Sequence, residues 1–218
     1  NAEGWKEYYE RVFLLRRREL DFLVSQRLPE FLGATAKKLF MFGQSEGGMV
    51  AARYFHPSLE ARLAGRIIAS WSCEFNYFVG SSESRQICEG DCRQETPLLN
   101  LIGTEDEYFS AQNFSVASQV AASPRGYGQA ELKGHCLAAF ESGGFKSATV
   151  ISLQGAPHET TSTHDRATGL FLRDFMAQPE NFAESRALGQ LCTRTGARLY
   201  QCSEVRERRA AAVELEAS

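Results

Sequence analysis

The stretch Lys38-Leu-Phe-Met-Phe-Gly-Gln-Ser-Glu-Gly-Gly-Met-Val-Ala-Ala-Arg-Tyr54 constrains the chain more than any other. Leu39 to Phe42 form a short unbroken apolar run, the pattern of a strand buried on both faces of a parallel sheet. The run breaks at Gly43-Gln-Ser-Glu-Gly47 and resumes as Met49, Val50, Ala51 and Ala52, a helical segment that Pro57 helps to stop. A strand, a Gly-x-Ser-x-Gly turn and a helix in that order make a nucleophile elbow. The turn drives Ser45 into a strained backbone conformation and lifts its hydroxyl clear of the sheet. The expectation is that Gly43 and Gly47 must both be small for strand and helix to approach so closely. The Glu46 N–H then stands at a helix N-terminus, where it can donate to a developing oxyanion.

A chain of 218 residues with 43% hydrophobic content can bury a sizeable core and reads as one domain. The net charge of −3 gives no footprint for nucleic acid, and no apolar run approaches the ~18 residues of a membrane span. The six cysteines, Cys73, Cys88, Cys92, Cys136, Cys192 and Cys202, do not define a disulfide scaffold in a chain this long. Their even number leaves both a cytoplasmic and a secreted setting open. Cys88-Glu-Gly-Asp-Cys92 lacks a second Cys/His pair at zinc-ligand spacing, and its pairing is not fixed by the sequence.

Taken in order, Tyr9, Val12, Phe13, Leu20, Leu23, Val24 and Leu28 recur at helical spacing and predict a helix over 5–28 with one apolar side. Arg16 interrupts that stripe, Arg16-Arg17-Arg18 reads as a solvated helix surface, and Pro29 should end or kink the helix. Gly65 to Cys73 reads as the next buried strand. Its C-terminal end should share a rim of the sheet with Ser45, which makes Trp71, Phe75, Tyr77 and Phe78 wall residues of a pocket or ordinary core. Pro97–Gly103 and Ala148–Leu153 are two further strands, with helices expected over 108–123, over 129–141 and through Leu170–Phe175. Residues 179–218 lose this pattern and read as a C-terminal extension, helical or disordered, beyond a domain of residues 1–178.

Two loops after strands carry the remaining chemistry. Thr104-Glu105-Asp106-Glu107 puts three acids where one could orient an imidazole, and the local sequence does not choose among them. Tyr108, next along, can reach the same rim. Gly155-Ala-Pro-His158 puts a histidine directly after the fourth strand, better aimed at the rim as a general base than His164, which opens the following helix.

Serine, acid and histidine following successive strands is the chain order of the α/β-hydrolase fold. The chain resembles that superfamily over about residues 10–176, and within it the dienelactone-hydrolase-like serine hydrolases. The likeness is carried by Leu39–Gly48, Leu101-Ile-Gly-Thr-Glu-Asp106 and Gly155-Ala-Pro-His158. It implies a mostly parallel sheet with helices on both faces and a catalytic triad of Ser45, His158 and Asp106. Glu46 would supply an oxyanion donor, while Trp71, Phe75 and Tyr108 would border the substrate. It implies no cofactor and no metal, and as partner a small-molecule ester or acyl substrate. Dienelactone hydrolases proper carry a cysteine where this chain has Ser45, so their lactone specificity is not implied.

The fold normally has strands before the elbow, one of which leads into a second oxyanion donor, whereas this chain opens on the helix before it. The strand of Ser45 is therefore expected at an exposed sheet edge. The chain is expected to be the C-terminal part of a longer hydrolase, weakly active by itself. Two other functions fit the same residues: a non-catalytic hydrolase-like binding module, and a peptidase of the prolyl-oligopeptidase type.

Overall fold

The computed structural model describes residues 2–32, 38–73, 87–90, 92–109 and 134–202. The apolar runs fold as strands β1 (Leu39–Gln44), β2 (Leu63–Ala69), β3 (Leu98–Gly103) and β4 (Ala148–Leu153). They lie side by side in that order, all parallel, with Gln44 opposite Ala69 and Gly103 opposite Leu153. Residues beyond their C-terminal ends therefore gather at one rim. A fifth strand, β5 (Arg198–Gln201), pairs antiparallel with β4. The described residues form an α/β structure with a five-stranded, mostly parallel sheet.

Alternation along the buried strands divides the core in two. Ile68, Leu98, Ile102 and Val150 face one way, toward helices α1 (Ala2–Phe22), α3 (Glu46–Arg53) and α5 (Leu137–Ser142). Ile67, Leu99, Leu101, Ile151 and Leu153 face the other way, toward Phe171 and Phe175 of α7 (Asp165–Ala177), Phe182 of α8 (Pro179–Phe182) and Leu188 and Leu191 of α9 (Arg186–Thr195). The short helices α2 (Leu28–Leu32), α4 (Pro57–Glu60) and α6 (Thr160–Thr163) make connections. Residue 178 lies between α7 and α8, and residues 179–202 form the helices α8 and α9 and the strand β5.

The first helix departs from its sequence reading near Pro29. Leu23–Arg27 form a π-turn and α2 continues through the proline to Leu32. A wider turn relieves the clash between a proline ring and the carbonyl four residues back, so the helix neither stops nor breaks there. Phe13 and Val24 are buried and Tyr9, Val12, Leu20 and Leu28 pack against the core, but Leu23 is exposed, because the π-turn rotates it out of the stripe. Arg53 of α3 makes two hydrogen bonds to Glu10 (2.9 and 3.1 Å) and lies over the Phe13 ring, fixing α1 against α3. Arg16 is half exposed and bonds Glu19 and Glu46.

Among the described residues β1 lies at the edge of the sheet, as expected, and Phe42 on it is 48% exposed. β2 ends at Ala69, four residues before the apolar run does. Ser70 has φ +49°, which ends the extended backbone and turns Ser70–Cys73 over the rim. Buried Asn100 of β3 holds that segment: its amide donates to the Ile68 and Trp71 carbonyls, and its oxygen accepts from Cys136 N–H. A disulfide joins Cys73 to Cys136 at the same point, and a second joins Cys88 to Cys92. Cys192 and Cys202 are both buried.

Candidate active site

The glycine requirement at the Ser45 turn is only partly as the sequence suggested. A Cβ on Gly43 would lie 1.9 Å from the Gly47 carbonyl oxygen, so any side chain there is excluded. A Cβ on Gly47 would meet nothing within 4 Å. The second tight position is Gly48, where a Cβ would come within 2.7 Å of the Ala69 carbonyl oxygen and 2.9 Å of the Trp71 Cβ. The expectation for Gly47 is thus corrected: helix α3 touches the end of β2 through Gly48, one residue later in the turn.

Between those contacts Ser45 is held at φ 56°, ψ −120°, a conformation that costs about 1–3 kcal/mol and persists only where its surroundings enforce it. Its N–H donates to the Ala69 carbonyl (3.0 Å). Glu46 opens α3, in the first turn where backbone N–H groups have no intrahelical acceptor.

Three side chains far apart in sequence meet above the rim. His158 Nε2 lies 2.8 Å from Ser45 Oγ, and His158 Nδ1 lies 2.9 Å from Asp106 Oδ2. A carboxylate facing Nδ1 selects the tautomer that carries its proton there, which leaves Nε2 to accept from the serine hydroxyl. Asp106 is fully buried, and its other oxygen accepts from the Tyr108 and Phe109 N–H groups, each at 2.9 Å. The structure thereby separates the three neighbouring acids. Glu107 accepts from the His158 backbone N–H (3.1 Å), and the Glu105 N–H donates to the Ala156 carbonyl (3.0 Å). His164 sits at the start of α7 with its ring beside Thr163 Oγ1. Gly103, at the end of β3, lets the histidine loop approach, since a Cβ there would stand 2.0 Å from the Ala156 carbonyl oxygen.

A cavity of about 340 Å³ opens on Ser45, lined by Tyr9, Glu46, Met49, Trp71, Tyr108, Phe109 and His158. Trp71 is buried and packs edge-on against Phe109 (centroids 5.1 Å apart), and Tyr108 stands at the mouth, 53% exposed and 4.7 Å from the His158 ring. Burial raises the Tyr9 phenol above its ordinary range, with Tyr8, Glu46 and Tyr108 adding to the effect. Trp71 and Tyr108 both border this cavity; Phe75, Tyr77 and Phe78 lie outside the described residues. Tyr9, Met49 and Phe109 complete the lining; the helical stripe contains Tyr9 and Phe109 adjoins Tyr108, but nothing local in the sequence marks them as facing the cavity.

Cys88 and Cys92 are joined to each other. Glu60, whose carboxylate comes within 4.8 Å of both sulfurs, is engaged by buried Arg66. Among the described residues no helix is long and apolar enough to cross a membrane.

Neither the family models nor the curated proteins include a match to this chain.

Proposed function

We propose that the protein is a serine hydrolase of the α/β-hydrolase fold that cleaves a carboxylic ester or related acyl bond. The observation that carries this reading is the continuous chain from Ser45 Oγ through the His158 ring to buried Asp106, with heavy-atom separations of 2.8 and 2.9 Å. Separations of this size lie within the reach required of a nucleophile and its base.

In this reading, Ser45 Oγ attacks the carbonyl carbon while His158 Nε2 takes the hydroxyl proton. Asp106 holds the ring and stabilises the imidazolium without taking that proton. The tetrahedral oxyanion is met by the Glu46 N–H at the N-terminus of α3. Collapse breaks the bond to the leaving alcohol, which receives the proton from Nε2, and leaves an acyl group on Ser45. Water, activated by the same nitrogen, then releases the acid. The aromatic wall of Tyr9, Trp71, Tyr108 and Phe109 gives the substrate's apolar parts a surface to bury against.

Turnover of a short series of nitrophenyl esters by the purified protein tests the reading. The expected result is ester hydrolysis that Ser45→Ala reduces to background with unchanged thermal stability. Hydrolysis unaffected by Ser45→Ala would reject it.

A further inference from the structure

Ser70 is built in a way that scaffold requirements alone do not explain. It follows the last residue of β2, is fully buried, and takes φ +49°, a left-handed conformation that L side chains other than asparagine and aspartate seldom adopt. Glycine would hold this backbone without strain. What the serine brings to this strained position that glycine would not is its hydroxyl.

That hydroxyl acts through its partners. The Ser70 hydroxyl donates to the backbone carbonyl of His158 and lies 3.2 Å from the Thr160 hydroxyl, which is buried beside it. The Thr160 N–H donates to the same His158 carbonyl (3.0 Å), and Thr168 Oγ1 donates to the Thr160 carbonyl (3.0 Å), so the histidine loop is tied on to α7. The residue before Ser70 holds the other reacting partner: the Ala69 carbonyl accepts the Ser45 N–H at 3.0 Å. The Ser70 N–H donates to the Leu101 carbonyl of β3 (2.8 Å), which fixes the dipeptide to the sheet centre. One dipeptide at the end of β2 thus grips the backbone of Ser45 on one side and that of His158 on the other. A second tie runs from Thr161 Oγ1 to the Gln44 side chain, between the same two loops.

We propose that Ser70 is a positioning residue for the Ser45–His158 pair, fixing the separation of Oγ and Nε2 through the His158 carbonyl. The assignment rests on the hydrolase reading above. It predicts a separation of activity from stability, because glycine relieves the strained backbone while removing the hydroxyl.

The test compares Ser70→Gly and Ser70→Ala with the unaltered protein, measuring kcat and KM on a nitrophenyl ester and thermal unfolding by circular dichroism. Ser70→Gly is expected to unfold at the same temperature or higher, yet to lose kcat by about 10- to 100-fold, the scale of a misplaced catalytic pair, with KM within about twofold. Ser70→Ala should show a similar loss of kcat with a lowered unfolding temperature, since the strain remains. A Ser70→Gly protein with unaltered kcat would overturn the assignment alone. So would one that fails to fold, or whose activity falls only in step with its folded fraction. An unaltered protein without Ser45-dependent turnover would remove the hydrolase reading and this assignment together.

Discussion

Both oxygens of Asp106 are engaged, one by His158 Nδ1 and the other by two backbone N–H groups, in a site closed to water. The consequence is specific to charge and tautomer, not to shape. Asp106→Asn keeps an oxygen for the Tyr108 and Phe109 N–H groups but turns an amide toward Nδ1, favouring the imidazole form whose Nε2 carries the proton. The expected result is a fall in kcat of about 10⁴-fold with little change in unfolding temperature. Steady-state kinetics beside a thermal melt checks it, and a loss of less than tenfold would contradict the role given to Asp106. At this scale the sequence was informative where the turn or loop leaving a strand carries the residue, as it does for Ser45 and His158. It was silent about Ser70 and Asn100. Their roles depend on which carbonyls the rim brings near, and nothing local in the chain encodes that. Local sequence left Glu105, Asp106 and Glu107 open and only the family resemblance pointed to Asp106; the turn is what sends that side chain inward and leaves its neighbours at the loop backbone.

The strand–turn–helix unit at β1 and α3 works by close approach, and its glycines are unequal. Gly43→Ala and Gly48→Ala would force backbone apart and should each destabilise the fold by at least about 1–3 kcal/mol. Gly47→Ala, on the open side of α3, should be neutral or stabilising by up to about 1 kcal/mol, because alanine favours helix and narrows the unfolded ensemble. Urea unfolding of the three variants distinguishes them, and a Gly47→Ala loss as large as that of Gly43→Ala would contradict this packing. The motif's spelling points to Gly47, whereas contact with β2 falls on Gly48. A pattern of letters marks the turn but not which face of the helix meets the sheet. The strands of the parallel sheet were legible because burial on both faces leaves unbroken apolar runs. β2 was overrun because Trp71 and Cys73 continue the apolar pattern after Ser70 has turned the chain. β5 escaped because an edge strand with exposed and half-buried residues carries no such run.

Across the whole molecule, the Cys73–Cys136 disulfide and Asn100 secure the segment bearing Trp71, so one wall of the cavity is tied to the sheet centre. With 63 residues of separation, this cross-link should contribute about 2–4 kcal/mol. Replacing both cysteines by alanine is expected to lower the unfolding temperature by about 5–15 °C for a chain of this size. An unchanged melting curve would show that Asn100 and packing suffice. The parallel strand order carries the main functional consequence, since it delivers the ends of β1, β3 and β4 to one rim and so assembles Ser45, Asp106 and His158. The most direct test of that convergence is intact-mass and peptide analysis after exposure to a fluorophosphonate. The account predicts one phosphonyl group per chain on Ser45, absent in Ser45→Ala and formed far more slowly in His158→Gln. A protein that gains no adduct, or gains one elsewhere that survives Ser45→Ala, would contradict it.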